Sequence, residues 1–164
     1  VSVSDYLLMS SKKTGSLFEL CFEIASLISD KYEKNVNELK KLGRNLGVVF
    51  QIQDDILELE TDSENMGKGT FSDIERNKKT ILTCLAMEKN ISEWKKLIES
   101  TNHENVSSKK KSIYNFFIEN NLKEESDKLL ADYISQCNDI INDLPDEIQG
   151  GLNELINYII KRNK

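Results

Sequence analysis

The chain has 164 residues, of which 38% are hydrophobic and 30% charged, and its net charge is −6. This length corresponds to one domain or to part of one, and the composition is that of a globular rather than a disordered chain. The negative charge argues against nucleic acid as a partner. No apolar run approaches the roughly 18–20 residues of a membrane span. One proline and seven glycines are few helix breakers, which favours an all-α fold.

Few residue types are available for chemistry. His103 is the single histidine, and Cys21, Cys84 and Cys137 lie far apart, without the C-x-x-C spacing of a zinc site. We therefore expect reduced thiols that pack as small apolar groups, as in a cytoplasmic protein. Chemistry in this chain then has to rest on carboxylates, lysines and a hard metal ion.

The first part of the chain predicts two long helices. Ser4 has the character of an N-cap for a helix that reaches about Ser29. Lys13-Thr14-Gly15 interrupts its apolar spacing, so we expect a kink there. A second helix is predicted from about Val36 to Glu60. The apolar positions of the first helix include Leu7, Leu8, Leu17, Phe18, Leu20, Cys21, Ile24, Leu27 and Ile28.

The rest of the chain also predicts helices. After a polar loop over 61–70, Ser72 and Glu75 have the spacing of a capping box, which should start a helix that reaches about Lys89. Pro145 separates the last two helices. No segment shows a convincing strand pattern, so the predicted class is all-α. Further helices are predicted near residues 91–100, 107–120, 122–143 and 147–162.

One sector of the second helix is acidic. On a helical wheel of residues 43–60, most apolar side chains fill an arc of about 200°, which predicts a mostly buried helix. The remaining sector contains three acids, one glutamine and two glycines, and its one cation is Arg44. The other members of this sector are Asp54, Asp55, Glu58, Gln51, Gly43 and Gly47.

This sector is either a solvated face or a wall of a ligand site. Solvated faces usually interleave lysine with their acids, which this sector does not. A glycine inside a helix costs about 1 kcal/mol relative to alanine, so Gly43 and Gly47 predict close approach of another backbone or a ligand. Asp54 and Glu58 are one turn apart and can face one cation. Such carboxylates suit Mg²⁺, which takes oxygen ligands and keeps waters or substrate phosphates.

Lysines that could bind phosphate lie in three other short motifs. Lys13 precedes Thr14, Lys68 lies between two glycines, and Lys78 precedes Lys79-Thr80. Lys68 does not belong to a P-loop, because the first glycine of that motif is absent and Gly69 follows the lysine. Each motif alone is weak, and the evidence lies in their order along the chain.

That order resembles the C-terminal half of the trans-isoprenyl diphosphate synthases, the farnesyl and geranylgeranyl diphosphate synthase family. The resemblance implies the C-terminal portion of the isoprenoid synthase helical bundle, built around a deep cavity. It also implies a Mg²⁺-dependent prenyltransferase, which ionises an allylic diphosphate and couples the carbocation to isopentenyl diphosphate before a proton is lost. The matching motifs are Y-L-x5-K-T-G-x-L-F from Tyr6, L-G-x2-L-G-x2-F-Q-I-x-D-D-I-L from Leu42 and G-K-x4-D-I-x3-K-x-T from Gly67.

The resemblance implies roles for the acids and for two of the lysines. Asp54, Asp55 and Glu58 match the second aspartate-rich segment of the family, which holds Mg²⁺. The family usually has aspartate where Glu58 stands, and glutamate keeps the charge but adds a methylene. Lys13 and Lys68 match lysines that hold the allylic diphosphate and stabilise the leaving group.

The resemblance implies roles for five further residues. Thr14 matches the threonine beside the first lysine, and Gln51 matches a glutamine near the allylic tail and the developing cation. Phe50 matches an aromatic residue on the isopentenyl side. Lys78 matches a further lysine near the diphosphates, and Arg162 resembles a C-terminal basic residue that helps to close over isopentenyl diphosphate.

The family's first D-D-x-x-D segment, upstream of the Lys-Thr pair, has no counterpart here. Residues 1–164 are therefore predicted to be the C-terminal part of one polyprenyl synthase domain, without turnover on their own. Three hypotheses stay open: part of a working prenyltransferase, a non-catalytic subunit-like relative, or a helical interaction module. We favour the first, and expect a cytoplasmic protein that is a homodimer when intact.

Overall fold

The structure is a computed structural model that describes residues 1–29, 31–64, 78–101 and 104–161. All regular elements in these ranges are helical, which confirms the predicted all-α class. No helix within them is long and apolar enough to cross a membrane. The elements are α1 (Val3–Ser10), a π-helical turn (Ser11–Gly15), α2 (Ser16–Ile28), a 3-10 turn (Glu33–Asn35), α3 (Val36–Glu64), α4 (Ile81–Ser100), α5 (Val106–Glu119), α6 (Leu122–Asn142) and α7 (Asp146–Ile160).

The first helix is capped by Ser2, and the prediction of Ser4 as its N-cap was wrong. The backbone N–H of Asp5 donates to Ser2 Oγ at 3.0 Å, and the N–H of Ser2 donates to Asp5 Oδ2 at 2.9 Å. This reciprocal pair is a capping box, and its capping residue lies two residues before the predicted one. The predicted kink at residues 13–15 is confirmed as an irregularity, because residues 11–15 form a π-helical turn.

The helix after the predicted loop begins at Ile81, so the prediction of a continuous helix through residues 78–80 was wrong. Thr80 Oγ1 accepts a hydrogen bond from the N–H of Thr83, and Thr83 Oγ1 accepts one from the N–H of Thr80. This capping box sets the start of α4. The predicted loop was also wrong over residues 61–64, which belong to α3, and the predicted capping box at 72–75 lies outside the described residues.

The described residues form two compact units, and one of them comprises Val1–Tyr6 and Asp54–Lys128. Its core includes Trp94, whose ring lies 5.6 Å from that of Phe117 and 5.5 Å from that of Phe116, centroid to centroid. Aromatic pairs at such distances add to the burial of their apolar area. The predicted helix boundary near residue 90 appears as a break within α4, at Asn90.

The other unit comprises Leu7–Gln53 and Leu129–Asn163. Leu42, Leu46 and Ile52 of α3 are fully buried there, as the wide apolar arc of the wheel predicted. Buried apolar residues of α7 and of α6 from Leu129 onward belong to the same unit. They are Leu130, Cys137, Ile140, Ile141, Ile156 and Ile159.

Helix α2 differs from α3, because most of its apolar side chains are exposed. Leu17 is 63% exposed and Ile28 is 79% exposed. Cys21 on the same helix is also exposed, so the expectation of three thiols packed as apolar groups holds for Cys84 and Cys137 but was wrong for Cys21. The other exposed apolar residues of α2 are Leu20, Ile24 and Leu27.

Candidate active site

The π-helical turn presents two of the predicted site residues. Lys13 is exposed and Thr14 is half-buried within this turn, which joins α1 to α2. A π-helical turn inserts one extra residue per turn into a helix, and such turns are frequent at functional sites. The turn therefore changes the direction of the side chains at the Lys-Thr pair relative to a regular helix.

Three glycines allow this turn and α2 to approach α3 closely. A Cβ atom added to Gly47 would overlap both Cα and N of Gly15, and one added to Gly43 would lie 2.6 Å from the backbone N of Glu19. A Cβ atom added to Gly15 would lie 2.8 Å from the carbonyl oxygen of Arg44. Close approach of a backbone, one of the two alternatives predicted from the glycine spacing, is therefore confirmed.

This approach brings together two site residues that are far apart in sequence. Thr14 Oγ1 donates a hydrogen bond to Gln51 Oε1 at 2.9 Å, and the bond is partly buried. Nearby along the same elements, the rings of Phe18 and Phe50 lie 6.3 Å apart at an interplanar angle of 50°. Both rings are half-buried, so the predicted aromatic residue Phe50 is supported by a second ring from α2.

Arg44, the cation of the acidic sector, binds a carboxylate of α2. Its Nε and one terminal nitrogen donate to the two carboxylate oxygens of Glu19 at 2.7 and 2.6 Å. This bidentate pair lowers the pKa of Glu19 below its ordinary value, chiefly through the hydrogen bonds from Arg44. Lys40 donates to Glu23 Oε1 at 2.8 Å, so ion pairs also join α3 to α2 beside the glycine contacts.

The three acids of α3 have different surroundings. Asp54 and Glu58 are half-buried, whereas Asp55 is buried with 8% exposure. Asp55 Oδ2 accepts hydrogen bonds from the hydroxyl of Tyr6 at 2.7 Å and from the backbone N–H of Ile81 at 2.8 Å. The wheel placed all three acids in one sector, but Asp55 lay at the edge of that sector, next to the apolar arc.

The donor chemistry of Asp54 and Glu58 fits Mg²⁺. Two carboxylates one helical turn apart offer hard oxygen ligands, and the remaining positions of a Mg²⁺ shell are commonly waters and substrate phosphates. Among the described residues there is no group of three or more His, Cys, Asp or Glu side chains with metal-site geometry.

The remaining predicted residues lie partly outside the described ranges. Lys78 is exposed and lies two residues before Thr80, the N-cap of α4. Lys68 and Arg162 fall outside the described residues. Gln53, which the sequence analysis did not select, is buried and donates from Nε2 to the carbonyl oxygen of Ile160 at 3.1 Å. Its polar character inside the apolar arc was the sequence signal for this bond to the end of α7.

The helical fold and the order of the lysine, threonine and acids along the chain agree with one family. The chain belongs to the polyprenyl synthetase family, which matches residues 1–117.

The similar proteins include two isoprenyl diphosphate synthases. A geranylgeranyl diphosphate synthase of Sulfolobus acidocaldarius is 33% identical over 172 aligned residues, which cover 100% of this chain and 51% of that protein. A short chain isoprenyl diphosphate synthase of Methanocaldococcus jannaschii is 39% identical, over 64% of this chain and 32% of that protein.

Solved structures give the same result for the fold. The crystal structure of a geranylgeranyl pyrophosphate synthetase from Pyrococcus horikoshii superposes with a TM-score of 0.85 and 27% identity. The superposition covers 99% of this chain and 50% of that one. The chain therefore spans about half the length of the proteins from Sulfolobus acidocaldarius and Pyrococcus horikoshii.

Proposed function

We propose that this chain is part of a Mg²⁺-dependent prenyltransferase, which condenses an allylic diphosphate with isopentenyl diphosphate to give a longer isoprenyl diphosphate. The Thr14–Gln51 hydrogen bond carries this proposal. It joins two motifs 37 residues apart, and the family resemblance assigns Gln51 to the allylic tail and places Thr14 beside the lysine that holds the allylic diphosphate. An ordinary helical interaction module has no need for a half-buried polar bond between these particular motifs.

The acids of α3 supply the metal part of the proposed site. Asp54 and Glu58 would hold Mg²⁺ through their carboxylate oxygens, and Asp55 belongs to the same aspartate-rich segment. When bound, Mg²⁺ would supply positive charge to the diphosphate that leaves. The half-burial of Asp54 and Glu58 limits competition from bulk water and strengthens their attraction for a cation.

The lysines would stabilise the leaving group directly. Breaking the allylic C–O bond increases the negative charge on the diphosphate, and a lysine ammonium at that position stabilises the transition state more than the ground state. We propose Lys13 and Lys68 for this role, with Lys78 as a further diphosphate contact. Lys13 is exposed on the π-helical turn and can reach a ligand in solution.

The carbocation has to be kept from water while it reacts. Gln51 would lie near the developing cation, where its carbonyl oxygen offers a dipole without acting as a nucleophile. Phe50, supported by Phe18, would provide part of an apolar wall on the isopentenyl side, and Arg162 would help to close over that substrate.

We also propose how this chain relates to the intact protein. Nearly the whole chain aligns with about half of each of two relatives. This coverage supports the assignment of residues 1–164 to the C-terminal part of one polyprenyl synthase domain. The family membership supports a homodimer when intact. The three free cysteines support a reducing, cytoplasmic location. The net charge of −6 argues against nucleic acid as a partner.

Turnover by the intact protein tests the proposed function. Incorporation of labelled isopentenyl diphosphate into prenyl products should require Mg²⁺, and Asp54→Ala should lower the rate by about 10²–10³-fold, the scale of losing a charge-stabilising group. Asp139→Ala is the matched control, because Asp139 is an exposed aspartate on α6, and it should leave the rate unchanged. Residues 1–164 alone should show no turnover.

Equal rates for the wild type and Asp54→Ala would instead favour a non-catalytic relative that acts through a partner chain. Turnover by the isolated 164 residues would contradict the assignment of this chain to part of a domain.

A further inference from the structure

We propose that Asp55 is a positioning residue and not a direct metal ligand. Its carboxylate joins α1 and α3 to the first residue of α4, and it thereby fixes the segment 78–80 that precedes α4. The consequence for Lys78 as a diphosphate contact rests on the proposed function, whereas the anchor itself does not.

The hydrogen bonds of Asp55 occupy one oxygen fully. Oδ2 accepts from the Tyr6 hydroxyl at 2.7 Å and from the Ile81 N–H at 2.8 Å. A carboxylate oxygen has about two acceptor positions, so both positions of Oδ2 are used. The three residues are buried, with exposures of 8% for Asp55, 1% for Tyr6 and 0% for Ile81.

These bonds also explain how a carboxylate is tolerated inside the unit. A buried charge is costly unless it is hydrogen-bonded, and bonds to a carboxylate are shorter and stronger than neutral ones. The N–H of Ile81 is one of the first N–H groups of α4, which have no partner within the helix and carry its positive dipole end. Asp55 therefore satisfies a backbone donor and stabilises the start of α4 in one contact.

Asp54 and Glu58 are placed differently on the same helix. Residues four apart in an α-helix diverge by about 40° around the axis, whereas consecutive residues diverge by about 100°. Asp54 and Glu58 thus share one half-buried face, and Asp55 points away from it into the core. A metal held by the first pair does not need the anchored oxygen of Asp55.

The anchor has a direct consequence for Lys78. Only two residues separate Lys78 from Ile81, and Thr80 between them forms the capping box with Thr83. Asp55 on α3 holds Ile81, and Thr83 on α4 holds Thr80. Together these bonds set the direction of the backbone at residues 78–80, and therefore the position of Lys78. Loosening the bond to Asp55 should therefore weaken a phosphate contact by Lys78.

Two substitutions separate anchoring from ligation in the 164-residue chain. Tyr6→Phe removes one donor and keeps the ring, so it should lower Tm by about 3–6 °C. Tyr158→Phe, at a tyrosine that is 73% exposed, is the matched control and should not change Tm. Asp55→Asn keeps one acceptor oxygen for both donors, and its Tm should stay within about 3 °C of the wild type.

Calorimetric binding of inorganic pyrophosphate with Mg²⁺ by the intact protein gives the second measurement. Asp54→Asn should lower that affinity about tenfold or more, whereas Asp55→Asn should keep it within about threefold. Tyr6→Phe should weaken it about two- to fivefold, and this loss should disappear in a Lys78→Gln background, because the bond acts through Lys78.

Two results would overturn the proposal. One is an Asp55→Asn variant with wild-type Tm that loses Mg²⁺-dependent binding as Asp54→Asn does, which would make Asp55 a ligand. The other is an unchanged Tm in Tyr6→Phe. If the intact wild-type protein binds no pyrophosphate with Mg²⁺, the proposed function is contradicted, and the Tm values still decide whether Asp55 is an anchor.

Discussion

The two parts of α3 are held in place by different means. Residues 36–53 lie against α2 and the π-helical turn through glycines, where backbone meets backbone. Beyond them, Asp55 holds its part of the helix through hydrogen bonds to Tyr6 and Ile81. The glycine contacts require that no side chain stands at these positions, whereas the hydrogen bonds require the carboxylate of Asp55. The comparison teaches that adjacent parts of one helix can be sensitive to opposite kinds of substitution, added volume in one and lost polarity in the other.

The largest expected effect comes from removing the hydrogen bonds of Asp55. Asp55→Ala would leave the Tyr6 hydroxyl and the Ile81 N–H buried without their acceptor, at about 1–3 kcal/mol each. We expect a loss of about 3–5 kcal/mol in the free energy of unfolding, measured by urea denaturation. Asp139→Ala, at an exposed position, is the control. A loss below about 1 kcal/mol would show that the buried bonds contribute little.

The next largest effect comes from adding a side chain at the contact between Gly47 and Gly15. Gly47→Ala places a Cβ atom in overlap with the backbone of Gly15, so the π-helical turn must shift. Overpacking of this kind costs about 1–3 kcal/mol, beyond the gain of about 1 kcal/mol in helix propensity. Gly150→Ala on α7 meets no atom within 4 Å and should stabilise the protein instead. Thermal unfolding measures both, and stabilisation by Gly47→Ala would contradict the close contact.

A smaller effect is expected from removing the hydrogen bond between Thr14 and Gln51. Thr14→Val keeps the shape of the side chain but removes the donor to Gln51, so unfolding should become easier by about 1 kcal/mol. In the intact protein the same variant should raise the KM for the allylic diphosphate. Thr14→Ser retains the hydroxyl and should restore both values. A serine variant as impaired as the valine variant would show that the methyl group matters and the bond does not.

The smallest effect concerns the ion pair beside the glycines. Because Arg44 lowers the pKa of Glu19 in the folded protein, the pair stabilises fully above the unfolded pKa near 4.5 and is lost as the pH falls through the lower folded value. Glu19→Gln should cost at most about 1 kcal/mol at pH 7, since the Arg44 side chain is 55% exposed. Denaturation at several pH values should show this difference shrinking below pH 4.5. A difference that persists at about pH 2 would exclude the ion pair as its cause.

The sequence predicted the glycine contacts better than the polar anchor, for a physical reason. A glycine inside a helix is unfavourable by itself, so the spacing of Gly43 and Gly47 was enough to indicate a close neighbour. Asp55 carried no such signal, because a carboxylate is equally suited to water, metal or a buried helix terminus. Its position at the edge of the apolar arc was the one indication, and Tyr6 and Ile81 are too distant in sequence to be recognised as its partners.

Helix periodicity was sufficient for the elements but not for their environment. Both α2 and α3 have apolar residues at helical spacing, yet Leu42 is fully buried whereas Leu17 is 63% exposed. Periodicity describes one face of a helix, and burial depends on what covers that face. Helix starts were predicted less well for a related reason, because Ser2 and Thr80 compete with nearby residues of equal capping ability.

The division of roles among the acids of α3 is tested most directly by comparing two variants of the intact protein. The measurement is Mg²⁺-dependent condensation of isopentenyl diphosphate with an allylic diphosphate by Asp54→Asn and by Asp55→Asn. We predict that Asp54→Asn loses at least about 10²-fold in rate, whereas Asp55→Asn stays within about tenfold of the wild type. Equal losses in the two variants, or a wild-type rate in Asp54→Asn, would contradict the account.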